Sequence, residues 1–201
     1  MPEIPVIDIY WEGPFKSALE VNEYVTTDER GQNTDYFFYQ IYGDHVSYGN
    51  GILLYIGMSE NEKGGIVSRL NNHNDNWIGG LCSEAKIYIG SYGYFKGWGY
   101  WHDKKNNSYY KKPECNGSNA KIYPEIPEIE ALLIYAHKPA FNCASIRNIK
   151  NTVKTGFHIF NTGRRKSLLP ELSTAYYTDN KKQLEQLEQL EQLEQLEQNQ
   201  Q

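Results

Sequence analysis

YFFYQIY (Tyr36–Tyr42) and ILLYI (Ile52–Ile56), joined by the polar, Gly- and Asn-bearing stretch Gly43–Gly51, decide how this chain folds. Aromatic and branched residues suit a pleated, half-buried surface, and a polar connection of this kind predicts a hairpin. Gly57 ends the second strand. A helix is expected from Gly65, with Ile66, Val67 and Leu70 as its apolar side, ending at Asn71-Asn72 or just past His73. KIYI (Lys86–Ile89) predicts a third strand. A further helix begins between Pro124 and Pro127, carries a stripe of Ile126, Ile129, Leu133 and Ala136, and stops at Pro139. The expected fold is α+β: a small three-stranded antiparallel sheet flanked by helices, spanning residues 36–145, with N- and C-terminal extensions.

Outward from this core the chain divides by composition. Residues 1–35 read as an N-terminal extension with an apolar run (Ile4–Tyr10), a turn at Gly13-Pro14, a short helix over Lys16–Tyr24 and a polar loop to Asp35. Gly90–Gly117 reads as a long irregular insert holding Trp98, Trp101, Tyr109, Tyr110 and five lysines. Loops of that length are uncommon unless they serve a function or move. Residues 146–182 form a basic extension in which Phe157–Phe160 predicts a strand, turning at Asn161-Thr162-Gly163. Residues 183–201 are a Leu-Glu-Gln repeat. Its three-residue period carries the leucines around a helix instead of stacking them, so it matches no heptad.

The net charge of −5 gives a misleading first impression. The tail from Gln183 holds five Glu and no Lys or Arg, so the rest of the chain is neutral. Within it, residues 131–170 lack Asp and Glu and carry Lys138, Arg147, Lys150, Lys154, Arg164, Arg165 and Lys166. Such a local excess suits phosphate binding, as it also suits a solvated basic face. Cys82, Cys115 and Cys143 form no CxxC pair, and free thiols fit a reducing cytoplasm. The N-terminus has no signal-peptide pattern, and no run approaches the roughly 18 apolar residues of a membrane span.

Six residues offer chemistry. Tyr39 and Tyr55 sit on the two paired strands. Arg69 and His73, four apart on one helix, share a face. Glu130 lies in the first turns of an apolar helix, and Asn142 follows its proline stop. A carboxylate suits a hard cation such as Mg²⁺ or Mn²⁺, an arginine grips phosphate oxygens, and a phenol or imidazole relays a proton. Singly, each has an ordinary structural reading: strand tyrosines, a surface arginine, a helix-end histidine, an N-terminal glutamate, a turn asparagine.

Together these pieces resemble the GIY-YIG nuclease superfamily. Phe37-Phe38-Tyr39 is similar to the GIY strand, with phenylalanines in place of Gly and Ile, and Tyr55-Ile56-Gly57 is a literal YIG. Arg69 and His73 resemble the helical arginine and the residue one turn later, at a spacing lengthened by Glu60–Gly64. Ile129–Ile134 through Pro139 to Asn142 resembles the glutamate helix and its closing asparagine. Tyr88-Ile89-Gly90 is a second literal YIG, but no Arg and His at helical spacing follow it, so the first copy is preferred. The resemblance implies a divalent-metal-dependent DNA endonuclease. Glu130 would be the single protein ligand to Mg²⁺ or Mn²⁺, Arg69 would bind the scissile phosphate, and Tyr39 would activate water. Tyr55 and His73 would assist, and Asn142 would brace the site. DNA contacts are expected from Lys104, Lys105, Arg147, Arg164, Arg165 and Lys166. Two other readings stay open: a nucleic-acid-binding module of the same fold without catalysis, and a self-associating protein driven by the repeat tail; the oligomeric state, monomer or homodimer, is left open.

Overall fold

The strand Val6–Phe15 (β1) runs down the interior of a sheet, with partners on both sides. In the computed structural model, which describes residues 4–27, 36–59, 65–81, 84–94, 124–149 and 152–178, it is followed by helix Ala18–Thr27 (α1). Then come strands Tyr36–His45 (β2) and Gly49–Met58 (β3), helix Gly65–Asn76 (α2) and strand Lys86–Tyr94 (β4). Helix Ile126–His137 (α3), strands His158–Gly163 (β5) and Glu171–Ser173 (β6) and the short helix Thr174–Thr178 (α4) complete the described elements.

The strand order is β3-β2-β4-β1-β5-β6, in one six-stranded sheet. All pairings are antiparallel except β1 with β5, which run parallel from Val6 opposite His158 to Trp11 opposite Gly163. The expectation of a small three-stranded antiparallel sheet is therefore wrong: the sheet is six-stranded and mixed. The three core strands expected are β2, β3 and β4; the strand expected at Phe157–Phe160 is β5, and with β1 and β6 it extends the sheet beyond them.

Two local features explain the shortfall. β1 does not stop at Gly13-Pro14; its pairing with β4 shifts between Glu12 and Phe15 and resumes. Asn161-Thr162-Gly163, expected as a turn, belongs to β5. Its polar side chains are satisfied inside the sheet. Trp11 Nε1 donates to Asn161 Oδ1 at 2.9 Å, and Thr162 Oγ1 donates to Asp8 Oδ1 at 2.9 Å. A buried polar residue is tolerated in a strand when such a bond replaces water.

Two apolar clusters form. One joins α3 to Ile7, Ile9, Trp11, Phe38, Tyr42, Tyr88 and the β5–β6 region. The other joins α1 and α2 to Tyr39, Ile41, Ile87 and Ile89. Clusters on both faces explain why β2 is buried from Tyr36 to Gly43 and reads as a continuous aromatic run instead of an alternating one.

α3 is fixed at both ends. Glu128 accepts the N–H of Glu125 at 2.8 Å in a capping box, and Lys138 closes the helix with φ 49°, its N–H donating to Ile134 O. Glu128 also accepts the backbone N–H groups of Lys154 (2.7 Å) and Thr155 (2.9 Å), which ties the following chain to the helix. Among the described residues no helix is long and apolar enough to cross a membrane.

Candidate active site

β2 and β3 pair with Ile41 opposite Tyr55 and Tyr39 opposite Gly57. Tyr39 and Tyr55 are thus diagonal neighbours on one face, and their rings stack with centroids 6.1 Å apart and planes 19° apart. Tyr39 lies across Gly57: a Cβ built on that glycine would collide with Tyr39 Cζ and Oη. The glycine of Tyr55-Ile56-Gly57 is therefore dictated by the phenol on the adjoining strand.

α2 brings His73 onto the same pair. Its ring sits 4.6 Å from Tyr55 and 5.6 Å from Tyr39, and Nε2 lies 2.8 Å from Tyr39 Oη. One turn on, Trp77 Nε1 donates to His73 Nδ1 at 3.0 Å. An indole nitrogen can only donate, so Nδ1 carries no proton and the neutral imidazole keeps its proton on Nε2. His73 consequently donates to Tyr39, whose own O–H is left to donate elsewhere. Burial, and then the nearby Arg69 charge, push the His73 pKa down, which favours the same neutral form.

Trp77 is absent from the six residues that the sequence motif singles out. Its signal was present, since it stands at the same four-residue spacing from His73 as His73 from Arg69.

Glu130 and Arg69 complete the electrostatics. The Tyr39 pKa is raised far above the usual phenol value, first by burial, then by the Tyr55 and Glu130 charges, against a lowering by Arg69. Tyr55 is raised by burial and then by Glu130, lowered by Arg69, and raised slightly by Cys143. One carboxylate and one guanidinium thus act on both phenols. α3 packs in the opposite cluster and contacts the sheet at β3, the edge strand that carries Tyr55, and at β6. The half-buried Glu130 differs from Glu128 two residues before it, which is 5% exposed and engaged with backbone N–H groups.

Asn142 grips the middle residue of the YIG triplet. Its Oδ1 accepts the Ile56 N–H at 3.0 Å and its Nδ2 donates to the Ile56 carbonyl at 2.8 Å. Ala140 and Phe141 donate backbone N–H groups to the carbonyls of Leu53 and Leu54, so the turn at residues 140–142 lies against the outer edge of β3.

The second YIG copy lies elsewhere. Tyr88 pairs with Gln40, packs edge-on to Tyr42 at 5.5 Å, and belongs to the α3-side cluster, away from Tyr39.

Of the expected DNA-binding residues, Arg147 is exposed beyond α3. Arg164 Nη1 donates to Gly13 O at 2.7 Å beside β1, Arg165 Nη1 donates to Leu168 O, and Lys166 lies 4.6 Å over the Tyr42 ring. The last three sit by β1 and the Tyr42 face and do not gather at the phenol pair. Lys104 and Lys105, most of the insert, Glu60–Gly64 and the Leu-Glu-Gln tail lie outside the described residues.

Among the described residues no group of three or more His, Cys, Asp and Glu is arranged to hold a metal. A one-carboxylate site needs no such group. A hard divalent cation takes one or two carboxylates and fills its remaining positions with water and phosphate oxygens. A half-buried glutamate beside an arginine and two phenols fits that donor set. No family model, no curated protein and no solved structure matches the chain.

Proposed function

We propose that this protein is a divalent-metal-dependent endonuclease that hydrolyses DNA phosphodiester bonds through a one-metal site of GIY-YIG type. The observation that carries the reading is the common influence of Glu130 and Arg69 on two stacked phenols, one of them hydrogen-bonded to His73.

Glu130 would hold Mg²⁺ or Mn²⁺, whose charge stabilises the reacting phosphate and the leaving oxygen when bound. Arg69 supplies a planar fork for two phosphate oxygens. His73, fixed in its Nε2–H form by Trp77, donates to the Tyr39 oxygen and stabilises negative charge on it. Tyr39 then takes a proton from the attacking water as its phenolate, and Tyr55 orders the same space from the adjoining strand. Asn142 keeps β3, and with it Tyr55, in place. The basic residues Arg147, Arg164, Arg165 and Lys166 would meet more distant phosphates. We assign the protein to the cytoplasm, acting on DNA as a monomer or homodimer.

One observation favours a second reading, a DNA-binding module of the same fold without catalysis: burial and Glu130 hold Tyr39 protonated. Incubation of supercoiled plasmid with the protein and Mg²⁺ or Mn²⁺ separates the two. Nicked or linear product from the wild type, lost in Glu130→Ala, supports the enzyme. Binding without cleavage at any pH up to 9.5, with either metal, eliminates it in favour of the binding module.

A further inference from the structure

The phenol pair is one end of a longer run of rings. Trp77 packs on Tyr55 at 6.1 Å and meets Phe141 edge-on at 5.1 Å. Phe141 contacts His45 at 5.4 Å, and His45 stacks on Tyr48 at 4.7 Å with planes 29° apart. The run follows the β2–β3 hairpin from the candidate site to its tip. Gly49 and Tyr55 are six steps apart along β3, about 20 Å at roughly 3.3 Å per step.

Exposure grows along the way. Tyr39 is 2% exposed, Phe141 37%, Tyr48 68%, and Val46 at the tip is wholly exposed. The tip brings no cation, since DHVSYGNG (Asp44–Gly51) holds one acid and no Lys or Arg. It is therefore unsuited to gripping phosphates. What it offers is ring faces in a line that begins at the phosphate site.

A paired duplex cannot use such faces, because its bases are stacked on one another and present only edges. Unpaired bases can, and every base has a face to stack.

We propose that Phe141, His45 and Tyr48 form a stacking track for unpaired bases of the DNA strand next to the scissile phosphate, so that the substrate is DNA with a single-stranded segment. This rests on the nuclease reading for its location but not for its test.

The test is binding without metal, in EDTA, so that no strand is cut. Three labelled DNAs are compared by fluorescence anisotropy: a fully paired duplex, a duplex with a splayed single-stranded arm, and the single strand. A 2-aminopurine in the arm reports stacking by quenching. The variants are Tyr48→Ala, Phe141→Ala and, as the conservative control, Tyr48→Trp, each checked for folding by circular dichroism.

Tyr48→Ala is expected to weaken binding of the splayed and single-stranded DNAs about tenfold. It should relieve the quenching and leave the paired duplex unaffected, and Tyr48→Trp should bind as the wild type does. The salt dependence should keep its slope, because no phosphate contact is removed.

Equal losses on paired and unpaired DNA, no loss on either, or a reduced salt slope would overturn the track. So would a dimer, seen by sedimentation, that Tyr48→Ala abolishes while DNA binding stays unchanged; the ladder would then be a self-association surface. Tyr48-dependent binding of unpaired DNA by a wild-type protein that cuts nothing leaves the track standing and removes the nuclease reading alone.

Discussion

The Asn142 side chain pairs with both backbone groups of Ile56, as a neighbouring strand would, accepting at 3.0 Å and donating at 2.8 Å. β3 is an edge strand, so among the described residues no further strand stands on that side to replace the pair. Asn142→Ala leaves a buried N–H and a buried C=O unpaired, at about 1–3 kcal/mol each. Chemical denaturation should show a loss of about 2–6 kcal/mol. A variant as stable as the wild type would refute this role.

Gly57→Ala tests the fit between the strands. The added methyl meets Tyr39 Cζ and Oη at the end of a side chain, so the ring must swing and its bond to His73 must break. The fold is expected to survive and cleavage to drop to background. Retention of the Tyr39–His73 hydrogen bond in imidazole NMR spectra would contradict the packing described.

Trp77→Phe removes the one proton that sets the His73 tautomer and keeps an aromatic ring in place. One neutral hydrogen bond is worth about 1 kcal/mol, so kcat should fall up to about tenfold with KM unchanged. Imidazole ¹⁵N shifts should change from the Nε2–H form to a mixture. An unaltered spectrum would mean that Trp77 is only packing.

Removing Glu130 should act on the phenols even without DNA. Its charge raises both phenols, and since Tyr39 is raised beyond the range in which a folded protein can be titrated, Tyr55 is the reporter: Glu130→Gln should move its titration to lower pH. Arg69→Gln should move it higher, since Arg69 lowers both. Ultraviolet titration near 295 nm reads the two changes. Both variants should also lose about 10²-fold or more in cleavage, as expected when a charged group is removed from the reacting phosphate. Phenol titrations unmoved by either change would mean that the charges do not converge.

Asp8 is a buried acid, 3% exposed, that accepts the Thr162 hydroxyl. Burial raises its pKa from 3.8 to about 7, although the Thr162 bond lowers it. A carboxyl that is a stronger proton binder when folded adds stability at low pH, and this is lost between about pH 4 and 7. Asp8→Asn keeps an acceptor for Thr162 and carries no charge. Above pH 7 it should be more stable than the wild type by a few kcal/mol, because each tenfold difference in proton affinity between the folded and unfolded chain is worth about 1.4 kcal/mol. The gain should vanish near pH 4. A stability difference that does not vary with pH would show that Asp8 is not buried in its acid form.

What the sequence made legible follows the range of the forces involved. β2, β3, α2 and α3 are written in local patterns of apolar residues and in proline and glycine punctuation, and Arg69 and His73 follow from helical spacing. The parallel pairing of β1 with β5 links Trp11 to Asn161 and Gly163 across some 150 residues. No local period encodes that choice, and the polar Asn161-Thr162 pair disguised the second half of β5 as a turn. Glu128 and Glu130 look alike on paper. Only the backbone N–H groups of Lys154 and Thr155 separate the helix's internal fastening from the half-buried carboxylate whose charge acts on the phenols.

The interior position of β1 has a practical consequence. A fragment ending at residue 145 would keep every residue of the candidate site, yet it would lack β5. β1 would then present six residues of unpaired backbone, from Val6 to Trp11, to any passing chain. Open strand edges of that length template intermolecular pairing. Such a fragment should precipitate rather than serve as a minimal nuclease, so a usable short version must run at least through Ser173.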